Sequence, residues 1–281
     1  MRPLVSVNIP TRNSGNTLES CLSSIADQGY PNIETLVVDS ESQDQTLSIA
    51  KRFNASIYSA DSLSEARSEG IRKSRGDYIF LVDSDQFLSN NLIEKCVDLC
   101  ESKQFGAITL FERSVLTKHT LAERVMAYDK ELIHESRDDH AYYGAAIPRF
   151  FKSEIRKKVE LLPGLLTFDH NMLYVAALTG GIRVGFLEAY IYHHEPSSWS
   201  DIVRKFVRYG YYYHSAFRTN SKLVVYHSMP RRVYFSRRAT RDPKLFAGLF
   251  MLYSLKALAS MCGAGLHSYH PPGKGSNEAT R

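Results

Sequence analysis

The first hundred residues alternate short apolar runs with segments in which apolar residues recur every three or four positions. The short runs predict buried strands and the longer segments predict helices, so this part of the chain has the pattern of βαβ units on a parallel sheet. The predicted strands are 4–9 (LVSVNI), 35–39 (TLVVD), 78–83 (YIFLVD) and 107–111 (AITLF).

The middle of the chain predicts two more helices and a further strand. The first helix covers 119–134. Asp169 opens the second, which ends at Gly180 and Gly181 because glycine readily adopts the backbone conformation that terminates a helix. The apolar run over 183–193 predicts the strand.

The last third of the chain contains two apolar segments of different kinds. In 201–217 a Tyr-rich apolar stripe runs beside Arg and Lys residues, which predicts an amphipathic helix at a membrane interface. Residues 245–266 form an apolar run with a single charge, Lys256. The run is long enough to cross a bilayer, although Lys256 and several small residues also fit a buried helix of a soluble domain. The tail over 267–281 is predicted to be disordered.

Charge is distributed very unevenly along the 281 residues. Residues 1–100 have 9 Lys and Arg against 14 Asp and Glu, whereas residues 201–281 have 14 against 3. The net charge of +5 therefore comes from a basic C-terminal region. Such a region suits an anionic surface, either nucleic acid or lipid headgroups. Because no known nucleic-acid-binding module accompanies it, we predict contact with a membrane and none with nucleic acid.

Composition excludes two classes of protein. A charged content of 23% argues against a bundle of transmembrane helices, and four cysteines in 281 residues argue against a disulfide scaffold. The cysteines form no CxxC pair, and we interpret all four as buried thiols in a reducing compartment. The start of the sequence, MRPLVSVNIP, has no charged leader before a long apolar segment, so no signal peptide is predicted.

Candidate chemistry lies at the ends of the predicted strands. The sequence contains no GxGxxG, P-loop, GxSxG or zinc-type motif, but Asp39 ends the second strand and Asp83-Ser84-Asp85 ends YIFLVD. Open parallel sheets bind ligands at the carboxyl edge of their strands. Two carboxylates one residue apart can share a hard divalent cation, which in turn can bridge a diphosphate.

The chain resembles the family 2 glycosyltransferases, which have the GT-A fold. The resemblance rests on three motifs in the family's order: VSVNIPTRN, VVDSESQDQT and ARSEGIRKSRGDYIFLVDSD. It covers about residues 4–195 and implies an α/β fold with a mixed, mainly parallel sheet flanked by helices. It also implies an inverting transfer of a hexose from a nucleoside diphosphate sugar, with Mn²⁺ or Mg²⁺ as cofactor.

The resemblance assigns roles to individual residues. Asp39 would contact the base, Arg67 would lie near the donor, and Asp85 would bind the metal. Asp83 would hold the ribose or a metal-bound water. The other residues of the implied nucleotide-sugar pocket are Pro10, Thr11, Arg12, Asn13 and Ser84.

Two later segments resemble family sites that complete the reaction. In LLPGLLTFDHNML, Asp169 matches the carboxylate that removes the proton of the acceptor hydroxyl, and Phe168 replaces the first acid of the family's pair. A helix N-cap is the alternative role of Asp169. In IYHHEPSSW, His193 is the better match to the family's metal-binding His and His194 is the reserve. Neighbours on a strand face opposite ways, so at most one of the two should reach the cation. Both imidazoles fit a structural role equally well.

A group of basic residues precedes the apolar run, and such an excess marks the cytoplasmic side of a membrane segment. These residues are Arg231, Arg232, Arg237, Arg238, Arg241 and Lys244. We predict a GT-A catalytic domain over 1–197 at the cytoplasmic face of the cell membrane, interfacial helices over 198–244 and a membrane helix over 245–266. This position predicts a lipid-linked acceptor, such as a polyprenyl phosphate or a growing lipid-linked oligosaccharide.

The layout resembles a reduced form of membrane synthases such as cellulose synthase, or a polyprenyl-linked mannosyltransferase. The absence of a QxxRW motif argues against a processive polymerase. By family likeness the predicted donor is GDP-mannose, as in N-glycan biosynthesis. A UDP-sugar-dependent transfer to a non-lipid acceptor, or a non-catalytic nucleotide-sugar-binding membrane protein, stays open. A sugar nucleotidyltransferase would have a Gly-rich basic loop where this chain has PTRNSGN.

Overall fold

The computed structural model describes residues 1–135, 147–157, 169–228 and 231–269. Its strands are β1 (Val5–Thr11), β2 (Ile33–Asp39), β3 (Ser56–Ser59), β4 (Tyr78–Leu81), β5 (Gln86–Leu88), β6 (Ala107–Val115), β7 (Ile147–Lys152) and β8 (Val184–His194). Its α-helices are α1 (Leu18–Ala26), α2 (Thr46–Arg52), α3 (Leu63–Lys73), α4 (Leu92–Lys103), α5 (Leu121–Glu135), α6 (Asp169–Thr179), α7 (Trp199–Tyr211), α8 (Tyr213–Thr219), α9 (Ser221–Ser228) and α10 (Pro243–Tyr269). Short 3₁₀ helices cover Ser153–Lys157 and Arg232–Phe235.

The described strands form one sheet in the order β3-β2-β1-β4-β7-β6-β8-β5. The four strands from β3 to β4 run parallel, β7 is antiparallel to both β4 and β6, and β5 is antiparallel to β8. Helices connect the parallel strands, as βαβ crossovers require. The predicted α/β class, with a mixed sheet flanked by helices, is confirmed.

Strand β4 is buried on both faces of the sheet, which explains its continuous apolar sequence. Tyr78 and Phe80 pack in a core with residues of α1 and α4, whereas Ile79 and Leu81 pack in a second core with residues of α3 and α6. The strand ends at Leu81 instead of at residue 83, because its pairing with β1 stops there. The chain then turns and forms β5, a short strand that the sequence pattern does not predict.

Contacts divide the described chain into two compact units. The first unit consists of Met1–Arg113, Ala146–Pro163 and His170–His193. The second consists of Ser114–Ala145, Gly164–Asp169 and His194–Arg281. It has its own apolar core, in which Val125 and Met126 of α5 join Leu249 and Leu252 of α10. The four-part domain division stays a prediction.

Three details of the C-terminal region differ from the predictions. The single helix over 201–217 is two helices, α7 and α8, with a break at Tyr212 that an apolar stripe alone does not reveal. Helix α10 continues to Tyr269, so the predicted disordered tail begins with helical residues, and residues 270–281 lie outside the described part. Cys262 is exposed on α10, whereas Cys21, Cys96 and Cys100 are buried.

Candidate functional site

The parallel pairing of β1 with β2 brings two predicted donor-site residues together. Thr11 is paired with Asp39 at the carboxyl ends of β1 and β2. The Asp39 carboxylate accepts hydrogen bonds from the Thr11 hydroxyl (2.8 Å), the Ser42 hydroxyl (2.6 Å) and the Ser42 backbone N–H (2.9 Å). A carboxylate has about four acceptor positions, so these three bonds hold Asp39 in place and leave one for a ligand donor.

The loop after β1 is tied to the loop after β2. Pro10 and Thr11 are buried at the end of β1, Arg12 is half-buried and Asn13 is exposed. Asn13 donates its backbone N–H to the Ser42 hydroxyl (2.7 Å) and accepts the N–H of Gln43 on its side-chain oxygen (2.9 Å). Its backbone has a φ of 50°, a conformation that Asn tolerates better than most residues. The end of β1 and the loop that follows it, with four of the predicted pocket residues, are therefore linked to the loop after β2.

Asp44 makes a second link between these loops. Its carboxylate accepts the backbone N–H of Gly15 (2.8 Å) and that of Thr46 (3.0 Å) at the start of α2. Burial alone would raise the pKa of Asp44, but the hydrogen bonds from Thr46 and Gly15 outweigh it and lower the pKa below its usual range. The ionised form is therefore the one that stabilises the folded loops.

Asp44→Ala is expected to lower the free energy of unfolding by about 1 kcal/mol, because it removes the acceptor of the Gly15 and Thr46 backbone N–H groups. Because the pKa of Asp44 is lower in the folded state, its contribution is present above the unfolded pKa of about 4 and is lost as the pH falls through the folded value. Urea unfolding measured from pH 7 to pH 3 checks both statements. Asp61→Ala, an exposed carboxylate in a neighbouring loop, is the control. A deficit as large at pH 3 as at pH 7 would contradict the assignment.

Asp83 lies between two arginines just beyond β4. Arg67 of α3 donates from Nη2 to Asp83 Oδ1 at 2.6 Å, and Nη1 of Arg149 lies 3.2 Å from Asp83 Oδ2. The Asp83 backbone N–H donates to the Gln86 side-chain oxygen at 3.0 Å, and Ser84 pairs with Ser14 of the first loop at 2.8 Å. Arg67 is therefore a direct partner of Asp83, and Ser84 connects this turn to the predicted pocket.

Arg149, Glu112 and Gln86 belong to this cluster, and sequence reasoning missed all three. Arg149 of β7 donates to Glu112 of β6 at 2.6 Å, and the Gln86 amide donates to the same Glu112 oxygen at 3.0 Å. Arg149 is 97% buried. Burial alone would lower its pKa, but Asp83 and then Glu112 outweigh that effect and raise it. The one feature of the sequence that points to Arg149 is its charge inside the apolar strand IPRFFK.

Asp85 and His193 form the best candidate for cation ligands. His193 Nε2 lies 3.4 Å from Asp85 Oδ2, since β5 pairs antiparallel with β8 and sets Gln86 opposite His193. Bonds of about 2.1 Å at right angles would separate two ligand atoms by about 3 Å, so this pair fits one small cation. Of the two predicted histidines, His193 contacts Asp85, and His194 follows it in the second unit.

The described residues contain no group of three or more His, Cys, Asp or Glu side chains placed for a metal. A cation held by Asp85 and His193 would therefore need oxygen ligands from a substrate or from water, which suits a diphosphate-binding site. Asp169 begins α6, as predicted, but its side chain lies outside the described part of the chain. Its role as a base stays a prediction.

Comparison with known proteins identifies the family. Residues 6–153, just over half of the chain, match the family described as Glycosyl transferase family 2. The uncharacterized glycosyltransferase EpsJ of Bacillus subtilis is 25% identical over 232 residues, which are 73% of this chain and 65% of that protein. The glycosyltransferase GlyG of Streptococcus pneumoniae is 32% identical over 116 residues, or 38% of each protein. The chain thus spans less than two-thirds of the length of either relative.

Solved structures support the fold. The mannosyltransferase PcManGT from Pyrobaculum calidifontis, in complex with GDP-Man and Mn²⁺, matches 96% of this chain and 82% of its own with a TM-score of 0.59 at 18% identity. Staphylococcus aureus TarS 1–349 in complex with UDP-GlcNAc matches 96% of this chain and 76% of its own with a TM-score of 0.58 at 17% identity. The fold agrees with the family match, and that match over more than half of the chain shows that this chain belongs to glycosyl transferase family 2.

Proposed function

We propose that this protein transfers a hexose, with inversion, from a nucleoside diphosphate sugar to a lipid-linked acceptor at the cytoplasmic face of a membrane. The observation that carries the proposal is the set of carboxylates at the edge of the sheet. Two arginines form ion pairs with Asp83, and Asp85 lies beside His193. The Asp39 carboxylate, fixed by its hydrogen bonds, has one acceptor position left for a ligand N–H. Such a set can bind a nucleoside and a cation–diphosphate together.

Each group in the set has a proposed task. Asp39 accepts an N–H of the base and Asp83 accepts a ribose hydroxyl, while Arg67 and Arg149 keep the Asp83 carboxylate in position. Asp85 and His193 hold the cation, with Mn²⁺ favoured over Mg²⁺ because an imidazole nitrogen is a softer ligand than oxygen. When bound, the cation neutralises the charge that develops on the departing diphosphate.

In the proposed reaction the acceptor oxygen forms a bond to the anomeric carbon as the bond from that carbon to the diphosphate breaks. The Asp169 carboxylate takes the proton of the attacking hydroxyl, so that no hydroxyl proton remains on the new glycosidic oxygen. Inversion follows because the attack is opposite to the leaving group. The alternative role of Asp169, as an N-cap of α6, would leave this proton transfer to another group.

Asp169→Asn is expected to lower kcat by about 10²- to 10⁴-fold, the usual contribution of a general base, while donor affinity stays within a few-fold. Turnover and calorimetric donor binding, measured on the same preparation, check both parts. Glu154→Gln, which removes an exposed carboxylate in the 3₁₀ segment after β7, is the control. Equal turnover of Asp169→Asn and the native protein would remove the assignment of the base.

The donor and the acceptor are tested by one assay. Membranes that contain the protein are incubated with Mn²⁺ and a panel of radiolabelled nucleotide sugars, and the lipids are then extracted. GDP-mannose is the expected donor, and a structural neighbour was solved with GDP-Man. Label that appears only in water-soluble product from a UDP-sugar would favour the alternative transfer to a non-lipid acceptor. Donor binding without any product would favour a non-catalytic nucleotide-sugar-binding protein.

Membrane attachment is the third part of the proposal. Within the described residues, one helix is long and apolar enough to cross a bilayer, namely Pro243–Leu266, whose most apolar 18-residue window has a mean hydropathy of 1.6. The exposed Arg and Lys residues before it are suited to anionic lipid. A protein attached in this way meets lipid-linked acceptors by diffusion in two dimensions, which supports the proposed acceptor class.

A further inference from the structure

One face of α10 is covered by protein along most of its length. Near its start, Gly248 contacts Val125 of α5 so closely that a Cβ would collide with that side chain. Further along, a Cβ at Gly263 would collide with the backbone of Val207 in α7. The core of the second unit contains Leu249 and Leu252 from the same face. This face is therefore a helix–helix interface and has no room for lipid.

The charge of Lys256 is paired with a carboxylate inside the protein. Lys256 Nζ lies 2.9 Å from Asp129 Oδ2 of α5, and the side chains are only 17% and 6% exposed. Tyr234 and Tyr253 donate their hydroxyls to the other Asp129 oxygen at 2.6 and 3.0 Å. Lys256 therefore neither weakens the apolar character of the opposite face nor needs a lipid phosphate.

The opposite face of α10, which we call the outer face, is apolar and exposed. Phe250 is 77% exposed, Leu258 62% and Met261 70%. Phe246 and Met251 are exposed as well. Only 28% of the most apolar window of this helix is buried, whereas the core helix of a soluble protein would be mostly buried. The outer face is thus an unusually large apolar surface.

Basic residues lie directly before this helix. Phe235 is 79% exposed, and the surrounding exposed cations are Arg232, Arg237, Arg238, Arg241 and Lys244. An open cavity of about 450 Å³ is lined by Tyr128, Arg238, Arg241 and Asp242. Apolar side chains beside Arg and Lys match the two layers of a membrane surface, acyl chains and anionic headgroups. This complementarity selects an anionic lipid surface as the partner of the outer face.

The helices packed on α10 oppose a transmembrane orientation. Arg124 and Glu131 are exposed on α5, and the ion pair of Arg204 with Asp201 on α7 keeps 74% and 40% of its side chains exposed at the surface. If α10 crossed the bilayer, the parts of α5 and α7 beside it would enter the hydrocarbon with these charges. Exposed charges at that depth are strongly unfavourable unless they face a partner or a water-filled cavity.

We propose that α10 lies in the plane of an anionic membrane surface, with its outer face at the boundary between headgroups and acyl chains, and does not cross the bilayer. The inference deepens the proposed membrane attachment and is independent of the transfer reaction. The sequence leaves open whether the membrane helix over 245–266 spans the bilayer, re-enters or lies on it, because a hydropathy window cannot distinguish a helix exposed on one side from one exposed all round.

Two positions on the same side of α10 distinguish the orientations. Phe250 and Met261 are both exposed and lie 11 residues apart, close to three full turns and about 16 Å along a helix axis. A fluorophore is attached to F250C or to M261C, each in a Cys262→Ser background because Cys262 is exposed as well. The full-length protein is then bound to phosphatidylcholine–phosphatidylglycerol vesicles with nitroxide lipids that quench at shallow or deep positions.

Equal, shallow quenching at both positions is the expected result. Depths that differ by more than about half of the separation of about 16 Å would overturn the in-plane orientation but keep the attachment. No quenching at either position would overturn both. Glycosyl transfer is assayed separately with detergent-solubilised protein, so failure of the membrane inference is distinguishable from failure of the enzymatic proposal.

The charge requirement is tested with two triple variants. Neutralising Arg237, Arg238 and Arg241 to Gln is expected to weaken vesicle binding by about 10²-fold, since each basic residue at an anionic surface contributes roughly a factor of five. The control neutralises the exposed Lys51, Lys95 and Lys103 of the first unit, which changes the net charge equally. Equal weakening by both variants would overturn the assigned surface.

Discussion

Asp85→Asn is expected to lower kcat/KM for sugar transfer by about 10²- to 10³-fold, the cost of removing one group that stabilises charge in a transition state. The amide keeps the shape of the side chain but loses the negative charge that attracts a cation. Because Asp85 keeps 41% of its side-chain surface exposed, the substitution should leave the fold intact. Initial rates at several Mn²⁺ concentrations measure the effect, and the apparent affinity for Mn²⁺ should fall with the rate.

His193→Ala tests the second ligand of the same site and should also weaken the Mn²⁺ dependence. The control is Asp27→Asn, which neutralises an exposed carboxylate at the end of α1. Calorimetry of a nucleoside diphosphate with and without Mn²⁺ gives a readout that does not depend on turnover. An unchanged Mn²⁺ requirement in Asp85→Asn would show that the cation, if one is used, binds elsewhere.

Arg149→Met is expected to lower the free energy of unfolding by about 3–5 kcal/mol, the usual cost of removing one partner from a buried ion pair. Its guanidinium lies 3.2 Å from Asp83 and 2.6 Å from Glu112, with only 4% of the side chain exposed. Methionine fills much of the volume but leaves the buried Glu112 carboxylate without its cation. Urea unfolding, followed by circular dichroism, measures the loss.

Two further variants separate this charge effect from a packing effect. In the double variant Arg149→Met with Glu112→Gln, the stranded carboxylate is gone, so the destabilisation should be smaller than the sum of the two single changes. Arg52→Met breaks an exposed ion pair with Glu19 and should cost at most about 1 kcal/mol. Strict additivity in the double variant would show that Arg149 stabilises the fold through packing alone.

The carboxylates of the site could be located from the sequence because the rule that places them is local. Parallel strands begin at one edge of a sheet and end at the other, so residues that follow strands gather without any knowledge of the full sheet order. Asp39 and Asp83 are recognisable in this way. Helix α6 was predicted for a similar reason, since Asp169 and the Gly180-Gly181 pair mark its ends within the sequence itself.

The partners of those carboxylates come from antiparallel strands, and no local rule predicts them. Arg149 reaches Asp83 because β7 lies beside β4, and Glu112 reaches Arg149 because β6 lies beside β7. Likewise, β5 is too short and its sequence pattern too weak to be predicted. Its pairing with β8 nevertheless places His193 beside Asp85. The order of strands depends on the packing of the whole sheet.

The sequence by itself determined the α/β class, the edge of the sheet that carries the carboxylates, the family resemblance and the basic, apolar character of the C-terminal region. Only the tertiary structure decided which charges are paired. The apolar run around Lys256 predicted a membrane helix. In the structure, Asp129, 127 residues earlier, pairs with Lys256, and α5 packs against one face of α10. The physical reason is that hydropathy and periodicity are sums over neighbouring residues, whereas desolvation and ion pairing depend on groups that only folding brings together.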